Sequence, residues 1–155
     1  MLEVPTRPSL HDSDFYAWSL EQAALLRAGR VAEADLAAIA VEIESMGKTE
    51  KRELVSRLTV LLLHLLKWRY QPTNRGPSWR LSIANARDEI SDLLADNPSL
   101  KSLIDEVMAS AYRYARRKAA IETEMAEEAF PSACPWSFAQ AADEGFWPEG
   151  QPHRP

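Results

Sequence analysis

Apolar residues recur along most of this chain at steps of three and four, the spacing that lines one face of a helix, and almost nowhere alternate as a strand requires. The pattern predicts a first helix over residues 14–28, begun after the polar run His11-Asp12-Ser13 and stopped at Gly29, with Phe15, Trp18, Ala23 and Leu26 among its apolar positions. Leu36, Ile39, Ile43 and Met46 mark a second helix that ends at Gly47, a residue able to turn left-handed. From Thr49 to Tyr70, the residues Leu54, Leu58, Leu61, Leu65 and Trp68 again step by four and three, while Leu62, Leu63 and Leu66 cover further faces. Pro72 blocks continuation, and this third helix is expected at the centre of the core.

Beyond a loop at residues 71–77, Trp79, Ile83, Ala86, Ile90 and Leu93 form a fourth single-faced stripe that ends near Asn97-Pro98. Asn97 is expected to cap a long fifth helix with Pro98 in its first turn; Leu100, Ile104, Val107, Ala111, Tyr114, Ile121 and Met125 mark its face. The closing stretch FPSACPWSFAQAADEGFWPEG holds too much proline and aromatic character for a long helix. It reads as a strap with one helical turn near residues 136–142, laying Phe130, Trp136, Phe138, Phe146 and Trp147 over the helices. The fold class is therefore all-α: a compact bundle of about five helices with an aromatic, proline-containing C-terminal strap. Residues 1–13 read as a flexible N-terminal segment, 14–149 as one helical domain including the strap, and 150–155 as a flexible tail.

Composition changes this picture little. A chain of 155 residues with 46% apolar and 26% charged residues suits one domain that folds without staples. Cys134 is the single cysteine, so no internal disulfide forms, and the apolar run Val60 to Leu66 is interrupted by His64 and too short to cross a bilayer. The opening MLEVPTRPSL lacks the basic-then-apolar pattern of a secretion signal, and a cytoplasmic protein is expected.

The stretches DFYAWSLEQAALLRAGR, EIESMGKTEKREL, SRLTVLLLHLLKWRYQP, SWRLSIANAR and CPWSFAQAADEGFWPE together resemble the bacterial family known as domain of unknown function 29, over roughly Asp14 to Glu149. The resemblance implies an all-helical bacterial protein. It carries over no activity, cofactor or catalytic residue. Val41 stands where the resembling block has Glu, which thins the acidic cluster of helix two.

Charge is unevenly spread. Between Arg57 and Arg87 the chain carries six cations, Arg57, Lys67, Arg69, Arg75, Arg80 and Arg87, and no acid, so the rest of the chain holds −11 to leave −5 overall. Arg75, Gly76, Ser78 and Arg80 surround the expected start of helix four, where free N–H groups and the positive dipole end favour an anion. Arg57, His64, Lys67, Arg69, Arg75, Ser78 and Arg80 are thus the candidate anion-binding or polar groove. The competing reading is structural. Lys67 and Arg69 complement the C-terminal dipole of helix three, and Trp68 and Trp79 fall on apolar stripes where they would close a helix hairpin.

His64 falls on the polar stripe of helix three with Glu53, Arg57, Lys67 and Gln71, and is expected to bond a neighbour such as a helix-two carboxylate. The di-iron pattern needs Glu three residues before His, and Leu61 occupies that place. His11 and His153 lie toward the chain ends, so no metal is expected. Glu42, Glu44, Glu50 and Glu53 are interspersed with Lys48, Lys51 and Arg52, as in a salt-bridged helix junction rather than an acid-base pair. Cys134 reads as a half-buried small residue rather than a nucleophile. No phosphate loop, zinc spacing or nucleophile elbow is found. The expectation is a non-enzymatic helical interaction module, regulatory in character, that binds another protein and needs no cofactor. The alternative is a weak binder of nucleic acid or a phosphate ligand through residues 57–87, and the third is a hydrolase or metal enzyme centred on His64.

Overall fold

The computed structural model describes residues 9–148, and among these every regular element is helical. Of the expected flexible ends, 1–13 and 150–155, residues 1–8 and 150–155, with His153, lie outside the described residues, as does residue 149, whereas Leu10–Ser13 form a short helix. Six α-helices follow in order: α1 (Leu10–Ser13), α2 (Phe15–Arg27), α3 (Leu36–Tyr70), α4 (Pro77–Asp96), α5 (Ile104–Thr123) and α6 (Phe138–Ala142), with short 3-10 turns between them. The chain divides into two units after Lys48, within α3. No helix among the described residues is long and apolar enough to cross a membrane.

In the first unit, Asp14 starts α2 by accepting a hydrogen bond from the Ala17 N–H at 3.0 Å. Gly29 ends it at φ 72°, where the Arg30 N–H reaches the Leu25 carbonyl and the Gly29 N–H reaches Leu26, the paired bonds of a left-handed helix end. Trp18 and Gln22, one turn apart, are the residues α2 buries. The oxygen of the buried Gln22 amide accepts from the Asp35 N–H at 2.7 Å, and the Asp35 carboxylate in turn accepts from the Ala38 N–H at 3.1 Å to start α3.

The expectation that Gly47 separates two helices is corrected by α3, which runs 35 residues through it. A mid-helix glycine costs about 1 kcal/mol relative to alanine, too little to stop a helix whose next turn holds good helix formers and no proline. Pro72 does end it, as expected, and the short turn Pro72–Asn74 leads to α4, with Gly76 at the N-cap and Pro77 at its first position.

The core of the second unit forms around the leucine-rich half of α3. Leu54, Leu58, Leu61, Leu62, Leu65 and Leu66 are fully buried with Trp68, and join Ile83, Ala86 and Ile90 of α4 and Val107, Ala111, Ala115 and Ala119 of α5 in one cluster. Burying each leucine contributes about 1.5–3 kcal/mol. The α5 residues recur every fourth position and three are alanine, so this ridge keeps the α5 backbone close to the core. Asn97 does not cap α5 as expected. Its side-chain amide donates back to the Leu93 carbonyl at 3.1 Å, closing α4, and the chain passes through 3-10 turns at Pro98–Leu103 before α5 begins.

The strap is built as its aromatics predict. Phe130 and Trp136 are buried, and Phe138, Phe146 and Trp147 pack against the same core cluster. Two fastenings hold it. Near its start, the Tyr112 hydroxyl donates to the Pro131 carbonyl and the Arg116 guanidinium reaches the Phe130 carbonyl at 3.3 Å. Near its end, the buried Arg87 side chain, 4% exposed, donates to the carbonyls of Ala141 (2.9 Å), Glu144 (3.3 Å) and Phe146 (2.7 Å). The helix α6 between these fastenings carries a reciprocal cap between Ser137 and Gln140.

Candidate functional site

The basic segment is largely occupied by partners within the second unit. Arg57 pairs with Glu53 at 2.6 Å and Glu89 at 3.0 Å, and shares its shallow groove with Asp92 and Asp96, so acids rather than cations dominate there. His64 donates from Nδ1 to the Val60 carbonyl at 2.8 Å, a bond to its own helix rather than to the carboxylate expected. Lys67 lies 4.7 Å from the centre of the Trp79 ring and 3.4 Å from Glu122. Arg69 stacks beside Tyr70 at 5.3 Å. Arg75 turns back to the Trp68 carbonyl at 2.6 Å and sits 5.1 Å from the Trp68 ring. Ser78 and Arg80 are exposed near the start of α4, and Arg80 borders a depression with Arg87, Asp88 and Glu144.

Arg87, counted among the six cations of the segment, is a buried fastener of the strap. Desolvation lowers its pKa, an effect opposed by Asp143 and Glu144, and its three carbonyl acceptors satisfy the guanidinium instead of a ligand.

Cys134 and Tyr112, which face each other electrostatically, are both shifted toward their protonated forms. The Cys134 thiol is pushed above its ordinary pKa by burial, with the Trp136 backbone acting in the opposite direction, and it donates to the Trp136 carbonyl at 3.3 Å. Burial, with the neighbouring Cys134, likewise pushes the Tyr112 phenol up to about 12. Of the acidic residues around Gly47, Glu53 is paired with Arg57 and Glu42 with His11, while Lys51 reaches Glu106 at 2.8 Å instead of joining that cluster. Among the described residues no three His, Cys, Asp or Glu side chains are gathered so as to hold a metal ion.

The first unit carries a feature that helical periodicity does not reveal. Of the thirteen large apolar side chains that stand exposed among the described residues, ten lie between Leu10 and Met46. On α2, Tyr16 and Leu20 are one turn apart and exposed, Tyr16 at 74%. On α3, Leu36, Ile43 and Met46 step by seven and three, with Ile43 at 63% and Met46 at 68% exposed. Ala40 and Gly47 sit on the same stripe by helical spacing. Exposed single apolar residues are ordinary; a succession of them along two helices in one small unit is not.

His11 organises the inner side of this unit. Its Nε2 lies 2.6 Å from a Glu42 carboxylate oxygen, and its ring meets Phe15 and Trp18 edge-on at 5.5 and 4.5 Å. The hydrogen bond to Glu42 raises the His11 pKa, with Asp12 adding to it and desolvation opposing. A histidine followed 31 residues later by glutamate carries no periodic signal, so only the paired polar character of both positions could have pointed to it.

Residues 10–147 match the model of the family described as domain of unknown function DUF29, and the chain belongs to that family. No curated protein and no solved structure matches the chain.

Proposed function

We propose that this DUF29 protein is a non-enzymatic interaction module of the bacterial cytoplasm that docks another protein through the apolar surface of its first unit. The observation that carries the reading is the concentration of exposed apolar residues between Leu10 and Met46, ten of thirteen. Water-facing Tyr, Ile, Leu and Met side chains gain free energy when a partner covers them, and Tyr and Met are enriched where partners bind. The second unit completes the contrast: its apolar residues are largely consumed by its own core, with Leu81, Tyr114 and Ile121 as its exposed large ones. The protonated, carbonyl-bonded Cys134 and the helix-bonded His64 support a binding role over a catalytic one. A single free thiol suits a reducing compartment.

The test is co-purification from the source organism with the wild-type chain and with Ile43→Glu plus Met46→Glu, both verified to be folded by circular dichroism. A protein recovered in stoichiometric amount with the wild type and lost from the variant is expected. Recovery of the same partner by both would place docking elsewhere.

A further inference from the structure

A second surface, in the other unit, has its own chemistry. Between α5 and the strap lies a groove of about 580 Å³, within the range of ligand sites. Its middle is apolar: Met108, Ala109, Trp136 and Phe138 line it. Along α5 it is bordered at one end by Asp105, in the first turn of the helix, and toward the other by Arg113 two turns on, with Arg116 and Glu127 lining it as well. Both Asp105 and Arg113 are exposed, and Arg113, which donates to the Tyr114 hydroxyl at 3.4 Å, has no carboxylate partner among the described residues. The second arginine, Arg116, is already committed to the Phe130 carbonyl and lies 3.7 Å from Glu127.

We propose that this groove binds a short extended segment of a partner polypeptide, apolar at its centre, with an acidic residue toward Arg113 and a basic residue toward Asp105. Eight residues of helix separate the two charges, about 12 Å at 1.5 Å per residue, which about four residues of extended chain span at roughly 3.3 Å each. A free anion or nucleic acid fits poorly, because Asp105 and Glu127 line the same groove. A purely apolar ligand would leave both charged ends unmatched. The fastened strap gives the groove a wall that exists before the segment arrives, which lowers the ordering cost of binding.

Selection of a displayed random peptide library on the full-length chain tests this. The expected consensus is two or three apolar residues flanked by one acid and one base in a fixed order, and a fluorescent peptide of that consensus should bind about tenfold or more weakly to Ala109→Trp, which fills the groove from an exposed position. The double variant Asp105→Lys with Arg113→Glu should prefer the same peptide with acid and base exchanged. Failure to recover a consensus, binding indifferent to Ala109→Trp, or a charge preference that the double variant leaves unchanged would each overturn the proposal. Ile43→Glu should leave this binding unaltered, which separates the outcome from that of the first unit's surface.

Discussion

The guanidinium of Arg87 on α4 donates to the carbonyl of Phe146 in the strap at 2.7 Å, and its central carbon sits 5.5 Å from the centre of the neighbouring Trp147 ring. One buried cation thereby holds the far end of a segment that contributes much of the aromatic cover of the core. Removing it leaves three carbonyls without their donor. Arg87→Ala should cost about 1–3 kcal/mol of stability, the penalty for leaving a buried acceptor without its donor. Urea denaturation measures it; a loss below about 0.5 kcal/mol would show that the strap is held without Arg87.

His11 should titrate above the ordinary histidine value of 6.5, because Glu42 favours its charged form. The sign follows from the raised pKa: the clasp's contribution to stability is fully present below pH 6.5 and fades as pH rises through the folded-state value. Proton NMR of the imidazole across pH 5 to 9 reads this directly. Glu42→Gln should bring the midpoint down, and an unchanged midpoint would detach the shift from Glu42.

Gly47→Ala should stabilise the chain by about 0.5–1 kcal/mol, since the position is helical and an added Cβ meets no atom within 4 Å. Thermal melting of the single variant decides it, and a destabilised Gly47→Ala would mean that the glycine serves a backbone need within the chain itself.

The helices were legible because their apolar residues keep a period that survives any tertiary detail. Leu54, Leu58, Leu61 and Leu65 announce both a helix and its buried face, and Pro72 and Gly29 mark ends that backbone geometry enforces. Gly47 misled because a glycine's helix-ending power depends on whether the next turn can continue, and Lys48 to Leu54 can. The basic segment was visible as charge, but its partners Glu89 and Glu122 come from distant positions that no local spacing reveals. For the same reason Arg87 registered in the sequence only as one of six cations, and the strap carbonyls it binds lie more than fifty residues away. Exposure of Ile43 and Met46 was hidden in the opposite way: an apolar stripe on an amphipathic helix reads as core, and periodicity alone does not reveal that these side chains stand exposed among the described residues.

Cys134 should react slowly. With its thiol half-buried, bonded to the Trp136 carbonyl and shifted upward by burial, little thiolate exists near pH 8. Alkylation by iodoacetamide should run about tenfold or more slower in the folded chain than in urea. Equal rates would remove the argument that this thiol is inert.

The reading of the first unit as a docking surface is tested most directly by comparing two apolar positions of nearly equal exposure, Ile43 at 63% and Leu81 at 62%. A photo-crosslinking amino acid placed at either position, with irradiation in the living source organism, reports what covers it. A discrete crosslinked polypeptide is expected from position 43 and none from position 81. The same products from both positions, or none from position 43, would contradict it.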